Sequence, residues 1–90
     1  MLEAEVKIVN PLGLHARAAA QLVRAAGRFD SDIKLKRADN NRSADAKSIL
    51  SVLTLAAAKG TKIGITTAGS DEKEALQLIE RLFADGFGEI

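Results

Sequence analysis

The sequence predicts an α+β fold, an antiparallel sheet with helices packed on one face and water on the other. Three observations carry this. Short segments alternate apolar and charged residues with the two-residue period of a half-buried strand. Between them lie stretches whose apolar residues recur every three or four positions, the period of an amphipathic helix. The links are short enough for hairpins, which favours antiparallel pairing. The order reads β-α-β-β-α-β-α, with no linker, internal repeat or low-complexity segment, so residues 1–90 are expected to form a single domain.

The elements follow in order. Leu2, Ala4, Val6 and Ile8 alternate with Glu3, Glu5 and Lys7, giving a first strand that Pro11 and Gly13 end. From His15 the period becomes helical: Ala18, Ala19, Leu22, Val23 and Ala26 share one buried face, and Gly27 is the expected C-terminal stop. The opposite face carries Arg17, Gln21, Arg24 and Arg28, a basic stripe running back from the helix start. Ile33 and Leu35 alternate with Lys34 and Lys36 in a second strand. The polar turn Asp39-Asn40-Asn41 leads into a short third strand over residues 43–46. Ser48 opens a short helix, apolar nearly all round, with Lys59-Gly60 as its expected close. Ile63 and Ile65 mark a fourth strand. Asp71, three residues before Glu74, fits a capping box for a last helix. Its buried face would be Ala75, Leu76, Ile79, Leu82 and Phe83, and Gly86 its stop.

Composition removes several classes of function. Apolar residues make up 47% of the chain, as in an ordinary globular domain. There is no cysteine, which excludes disulfides, thiolate metal sites and cysteine nucleophiles. A single histidine argues against a zinc site, and neither a metal nor a cofactor is expected. A net charge of +1 and only three aromatic residues argue against nucleic acid. The longest apolar stretch, residues 49–58, contains Ser51 and Thr54 and is too short to span a bilayer, so no membrane insertion is expected. The N-terminus lacks the charged lead and apolar run of a signal peptide, so the expected location is the cytoplasm.

Chemistry concentrates at Asn10-Pro11-Leu12-Gly13-Leu14-His15-Ala16-Arg17, where the only histidine stands at the start of a helix. The first N–H groups of a helix lack intrahelical acceptors, and with the positive end of the dipole they form an anion site. An imidazole there could accept a phosphoryl group and have it held on arrival. A helix N-terminus and a neighbouring arginine both disfavour imidazolium, which favours the neutral nucleophile. The bland alternative is a cap histidine without chemistry.

Gly13-Leu14-His15-Ala16-Arg17 and the later Ala46-Lys47-Ser48-Ile49-Leu50 closely resemble the histidine-containing phosphocarrier (HPr) family. Ala58-Lys59-Gly60 and Gly86-Phe87-Gly88-Glu89 extend the resemblance over the whole chain. It implies an open-faced β-sandwich, a four-stranded antiparallel sheet with three helices on one face. It also implies a carrier of the phosphoenolpyruvate-dependent phosphotransferase system, not itself an enzyme. His15 would take a phosphoryl group from enzyme I and pass it to an enzyme IIA-type sugar-specific or regulatory acceptor. Arg17 would be its neighbouring cation, and the ring nitrogen nearer the backbone would carry the group. Ser48 matches the serine modified by HPr kinase/phosphorylase. Ala16, Ala18, Arg24, Lys47, Ile49, Leu50 and Leu53 are the expected partner-docking residues of a monomer. Two departures from the family pattern stand out: Ala18, where the family commonly has proline and where alanine should keep the helix but leave one more free N–H, and a slightly longer hairpin around Arg37 to Arg42, which bears on the shape of one edge and not on the chemistry.

Two other readings compete. A regulatory HPr paralogue, controlled through Ser48 with little transport role, keeps the fold and changes the function. An RNA-binding or small-ligand module is the third, because β-α-β-β-α-β is also the ferredoxin-like order. An independent hydrolase is disfavoured, since His15 has no nucleophile partner in its motif.

Overall fold

A computed structural model describes residues 1–89; the final position of the expected domain, residue 90, lies outside the described residues. The strands are β1 (Leu2–Lys7), β2 (Asp32–Arg37), β3 (Ser43–Asp45) and β4 (Lys62–Ala68). The helices are α1 (Ala16–Ala26), α2 (Ile49–Thr54) and α3 (Glu72–Ala84), and a 3₁₀ turn spans Gly86–Gly88. All strand pairs are antiparallel in the order β1-β4-β2-β3, with Ala4 opposite Ile65, Ile65 opposite Leu35 and Leu35 opposite Ala44. Those partners share one face, which the helices cover.

Alternation explains the two faces. Ile33, Leu35, Ile63 and Ile65 are essentially fully buried, whereas Glu3, Glu5, Lys34 and Lys36 on the opposite face are exposed. Burying each such isoleucine or leucine contributes about 1.5–3 kcal/mol, which ties the sheet to the helix layer. From that layer come Ala18, Ala19, Leu22 and Ala26 of α1, Val52 of α2, and Ala75, Ile79 and Phe83 of α3. Val23 and Leu82, expected on the buried faces, are partly exposed at the edge of the core.

Three helix ends differ from the sequence expectation, each for a local reason. Gly27 does cap α1, but at φ −65°, in right-handed and not left-handed conformation. The final turn instead tightens into three-residue bonds from Arg28 N–H to Ala25 O and Phe29 N–H to Ala26 O. Lys59-Gly60 does not close α2, because the helix has already ended at Thr54 and Ala56 turns left-handed at φ 49°. The carbonyls left over are taken by the long hairpin: Arg37 donates to Leu55 O at 2.7 Å and Arg42 to Thr54 O at 3.1 Å. Asp39 grips Arg37 through two hydrogen bonds, which holds the Asp39 carboxyl below the usual carboxylate range. Arg37 and Arg42, at the two ends of the β2–β3 turn, thus cap the C-terminus of α2.

The Asp71–Glu74 capping box does not form. Glu72 reaches back to Gly69 N–H instead, at 3.1 Å. The Asp71 carboxylate turns away to accept from Ser31 Oγ and from the N–H groups of Asp30 and Ser31, both at 2.9 Å. These bonds, the Ser31 hydroxyl first, hold the Asp71 carboxyl below its ordinary value. A depressed folded value means the stabilisation is complete above the unfolded value near ~3.9 and disappears as pH falls through the folded one. Wild type should therefore lose stability between about pH 5 and pH 2 more steeply than Asp71→Asn. Urea midpoints measured across that range test this, and equal slopes would refute it.

Candidate functional site

The site is built where β1 hands over to α1. Asn10, only 1% exposed, donates from Nδ2 to Gly13 O at 2.8 Å and closes the loop on itself. Gly13 sits at φ +64°, and Leu14 N–H bonds Ala57 O at 2.9 Å, tying the loop to the segment after α2. This delivers His15 as the N-cap of α1 with extended backbone at φ −74° and ψ 178°. Its Nδ1 accepts from Arg17 N–H at 3.3 Å, so the imidazole takes the place of the usual Ser or Asp cap. Among the described residues, the N–H groups of Ala16 and Ala18 find no acceptor. Two free donors and the dipole of an eleven-residue helix therefore lie at the helix start that this ring nitrogen caps, and Arg17, two residues on, is exposed.

The other ring nitrogen is also engaged. Nε2 meets the Glu89 carboxylate, and Asn10 Nδ2 donates to the same carboxylate at 3.1 Å. The Asn10 bond, followed by that of His15, holds the Glu89 carboxyl below its ordinary range. Sequence reasoning quoted both Asn10 and Glu89 within motifs but gave neither a role; the recurrence of Gly86-Phe87-Gly88-Glu89 in the family resemblance was the available signal.

The remaining candidates fall into distinct places. Arg17 and Arg24 are exposed on α1, as is Ala16. Ala18 is corrected from surface to core: it is 0% exposed and offers partners no side-chain surface. Helical periodicity had already set it on the inner face with Ala19 and Leu22, and packing decides in favour of that reading. Ser48 caps α2, its Oγ accepting from Ser51 N–H at 3.3 Å, and makes no hydrogen bond to His15 or Arg17. Lys47 Nζ is tied to Phe29 O at 2.8 Å. Ile49 and Leu50 are 41% and 74% exposed, while Leu53 packs against the core. Helices α1 and α2 are in contact, so these residues and the His15 end belong to one layer of the molecule. Among the described residues no His, Cys, Asp and Glu cluster could hold a metal ion, and no helix is long and apolar enough to cross a membrane.

The family model described as the PTS HPr component phosphorylation site matches residues 2–85. The chain belongs to the HPr family. Phosphocarrier protein HPr of Cupriavidus necator is 47% identical over 89 residues, covering 99% of this chain and 98% of that protein. The HPr of Treponema pallidum is 46% identical, with 99% of each chain covered. Among solved structures, HPr-C-His from Thermoanaerobacter tengcongensis superposes with a TM-score of 0.93 at 36% identity, covering 100% of this chain and 99% of that one. The four-stranded antiparallel sheet with its helix layer is thus the HPr open-faced β-sandwich. This HPr is a phosphocarrier-type protein of the phosphotransferase system, and its site has to be read in that light.

Proposed function

We propose that His15 is where a phosphoryl group enters and leaves this HPr, received from enzyme I and passed to an enzyme IIA-type sugar-specific or regulatory acceptor. The chain turns nothing over by itself and acts as a cytoplasmic monomer. One observation carries the proposal: His15 Nδ1 stands at the start of α1 against Arg17 N–H, with the Ala16 and Ala18 donors free among the described residues. The Nδ1 lone pair forms the bond to phosphorus, and the donor's leaving atom departs with the electron pair of the bond that breaks. The new group brings about two negative charges, for which the freed N–H groups and Arg17 are ready partners. One exposed arginine at an open site favours release as well as capture. Incubation with enzyme I and phosphoenolpyruvate should add one acid-labile phosphoryl group; wild type left unmodified by several enzyme I preparations would sink the proposal.

Partners dock on Ala16, Arg24, Ile49 and Leu50, with Lys47 and Leu53 at the margin. The exposure of Ile49 and Leu50 favours this, since adjacent large apolar side chains left in water mark an interaction surface. Ser48, immediately before them, is the site for HPr kinase/phosphorylase. Phosphate there adds charge beside an apolar patch and weakens docking through desolvation and repulsion. A purely regulatory role makes the opposite demand: Ser48 phosphorylated by the kinase in a protein that no sugar-specific acceptor discharges.

Ala18→Pro should change the His15 phosphorylation rate less than tenfold. The position lies in the first turn of α1, where proline is tolerated and its missing N–H had no acceptor among the described residues. Initial rates with enzyme I measure this, and a larger change would mean the helix start works differently from the account above.

A further inference from the structure

The face of the sheet turned away from the helices carries its charge in two banks. Glu3 and Glu5 of β1 stand on one side, Lys34 and Lys36 of β2 on the other, and β4 runs between them. Strand register aligns them in two rows, Glu3-Thr66-Lys34 and Glu5-Gly64-Lys36. Two strand spacings, about 9.5 Å, separate the banks. Among the described residues, none of the four charged side chains takes part in an ion pair. All six residues line a shallow trough of about 570 Å³.

Gly64 lies at the floor of this trough, inside a strand that is paired on both sides. Glycine weakens such a position, and there it often marks a bulge, a tight bend or the close approach of another backbone. The register runs unbroken through Gly64 on both sides, so no bulge requires it. A Cβ would meet only Lys36 O, at 3.8 Å, an ordinary contact, so no neighbour within the chain requires it either. What remains is an approach from outside.

We infer that this face is a self-association surface, closed by the same face of a second copy about a two-fold axis along β4. Charge matching decides the occupant. Rotation by 180° about that axis keeps each row at its own height and exchanges the two banks. Glu3 then meets Lys34 across the interface and Glu5 meets Lys36, each pair formed twice. Gly64 and Thr66 lie on the axis and meet their own counterparts, so the missing side chain falls where the two backbones come nearest. Twist does not spoil the fit. A twisted sheet is a saddle, and a two-fold along one of its strands lays the saddle on itself. This is the self-complementarity that an isologous dimer demands.

The pairing is weak, because it rests on surface ion pairs that salt screens. Exposed Lys62 also lies on the axis and meets its own counterpart with like charge. The helix layer, with His15, Ile49 and Leu50, faces outward in both copies. Each chain therefore still acts singly as a carrier, and the pair is the form it takes at high concentration.

Sedimentation equilibrium of the full chain should show reversible dimers at about 1 mM in low salt and monomers at about 1 M salt, where the Debye length is near 3 Å. Glu3→Lys with Glu5→Lys should weaken pairing at least tenfold, and so should Lys34→Glu with Lys36→Glu, because each sets like charges face to face. An equal mixture of the two double variants should pair again, which also shows that both are folded. The chain carrying all four changes should pair too, at the wild-type net charge. Because the sequence has no cysteine, Thr66→Cys places a single thiol on the axis. In low salt it should air-oxidise to a disulfide dimer about tenfold faster than Leu50→Cys, whose thiol stands exposed on the helix side. Wild type that stays monomeric at the stated concentration, dimers that survive high salt, or a mixture that fails to pair would overturn the inference. Equal oxidation rates of the two cysteine variants would do so as well.

Discussion

His15→Ala should abolish acid-labile phosphorylation by enzyme I and phosphoenolpyruvate while the protein still folds. The chain contains no second histidine and no cysteine, so no other side chain of comparable nucleophilicity can take over. The same residue is also the N-cap of α1, and removing a cap costs about 0.5–2 kcal/mol. That loss alone could blur the result, so a second variant separates the roles. His15→Asn restores a side-chain acceptor for the Arg17 N–H but supplies no nucleophile. It should regain most of the thermal stability lost in His15→Ala and none of the phosphorylation. Acid-labile labelling that persists in the asparagine variant would place the phosphoryl group elsewhere and overturn the assignment to His15; acid-stable label would instead point to a hydroxyl such as that of Ser48.

The strands and the inner faces of α1 and α3 were legible in the sequence because each is half wet. Glu3, Glu5, Lys34 and Lys36 stay in water, so alternation survives as a readable pattern. What sequence reasoning missed depends on partners far away in the chain. Asp71 is three residues before Glu74 and looks like half of a capping box, yet Ser31, 40 residues back, offers it an N–H and a hydroxyl together. The end of α2 could not be read from Lys59-Gly60 because Arg37 and Arg42 supply the cap from another hairpin. The site shows the same division. His15 and Arg17 are adjacent, and the helix start that unites them follows from a local change of period. Glu89 depends on the three positive φ angles of the 3₁₀ turn and on the packing of Phe87 against Phe83, neither of which leaves a periodic trace. Ala18 carried two conflicting signals, a core period and a docking resemblance; its place in the close-packed core leaves it no exposed surface.

Gly13→Ala should be among the most damaging single substitutions in the molecule, at about 2–5 kcal/mol of stability. Two costs add. The residue holds φ +64°, which an alanine adopts only at about 1–2 kcal/mol. A Cβ there would also stand 2.4 Å from Ala57 O and 2.9 Å from Ala58 Cα. Both are backbone atoms, so no side chain can swing aside, and overpacking of this kind costs about 1–3 kcal/mol more. Relief requires moving the loop away from the segment after α2, which breaks the bond from Leu14 N–H to Ala57 O. The displaced loop carries His15 with it and removes the Gly13 carbonyl from Asn10, the residue that also holds Glu89. Phosphorylation should therefore fall together with stability, whereas Leu12→Ala, one position earlier and 69% exposed, should stay within about 0.5 kcal/mol of wild type. Urea unfolding of both variants decides the matter. A cost below about 1 kcal/mol for Gly13→Ala would mean that the close approach of Gly13 to Ala57 does not hold His15 in place.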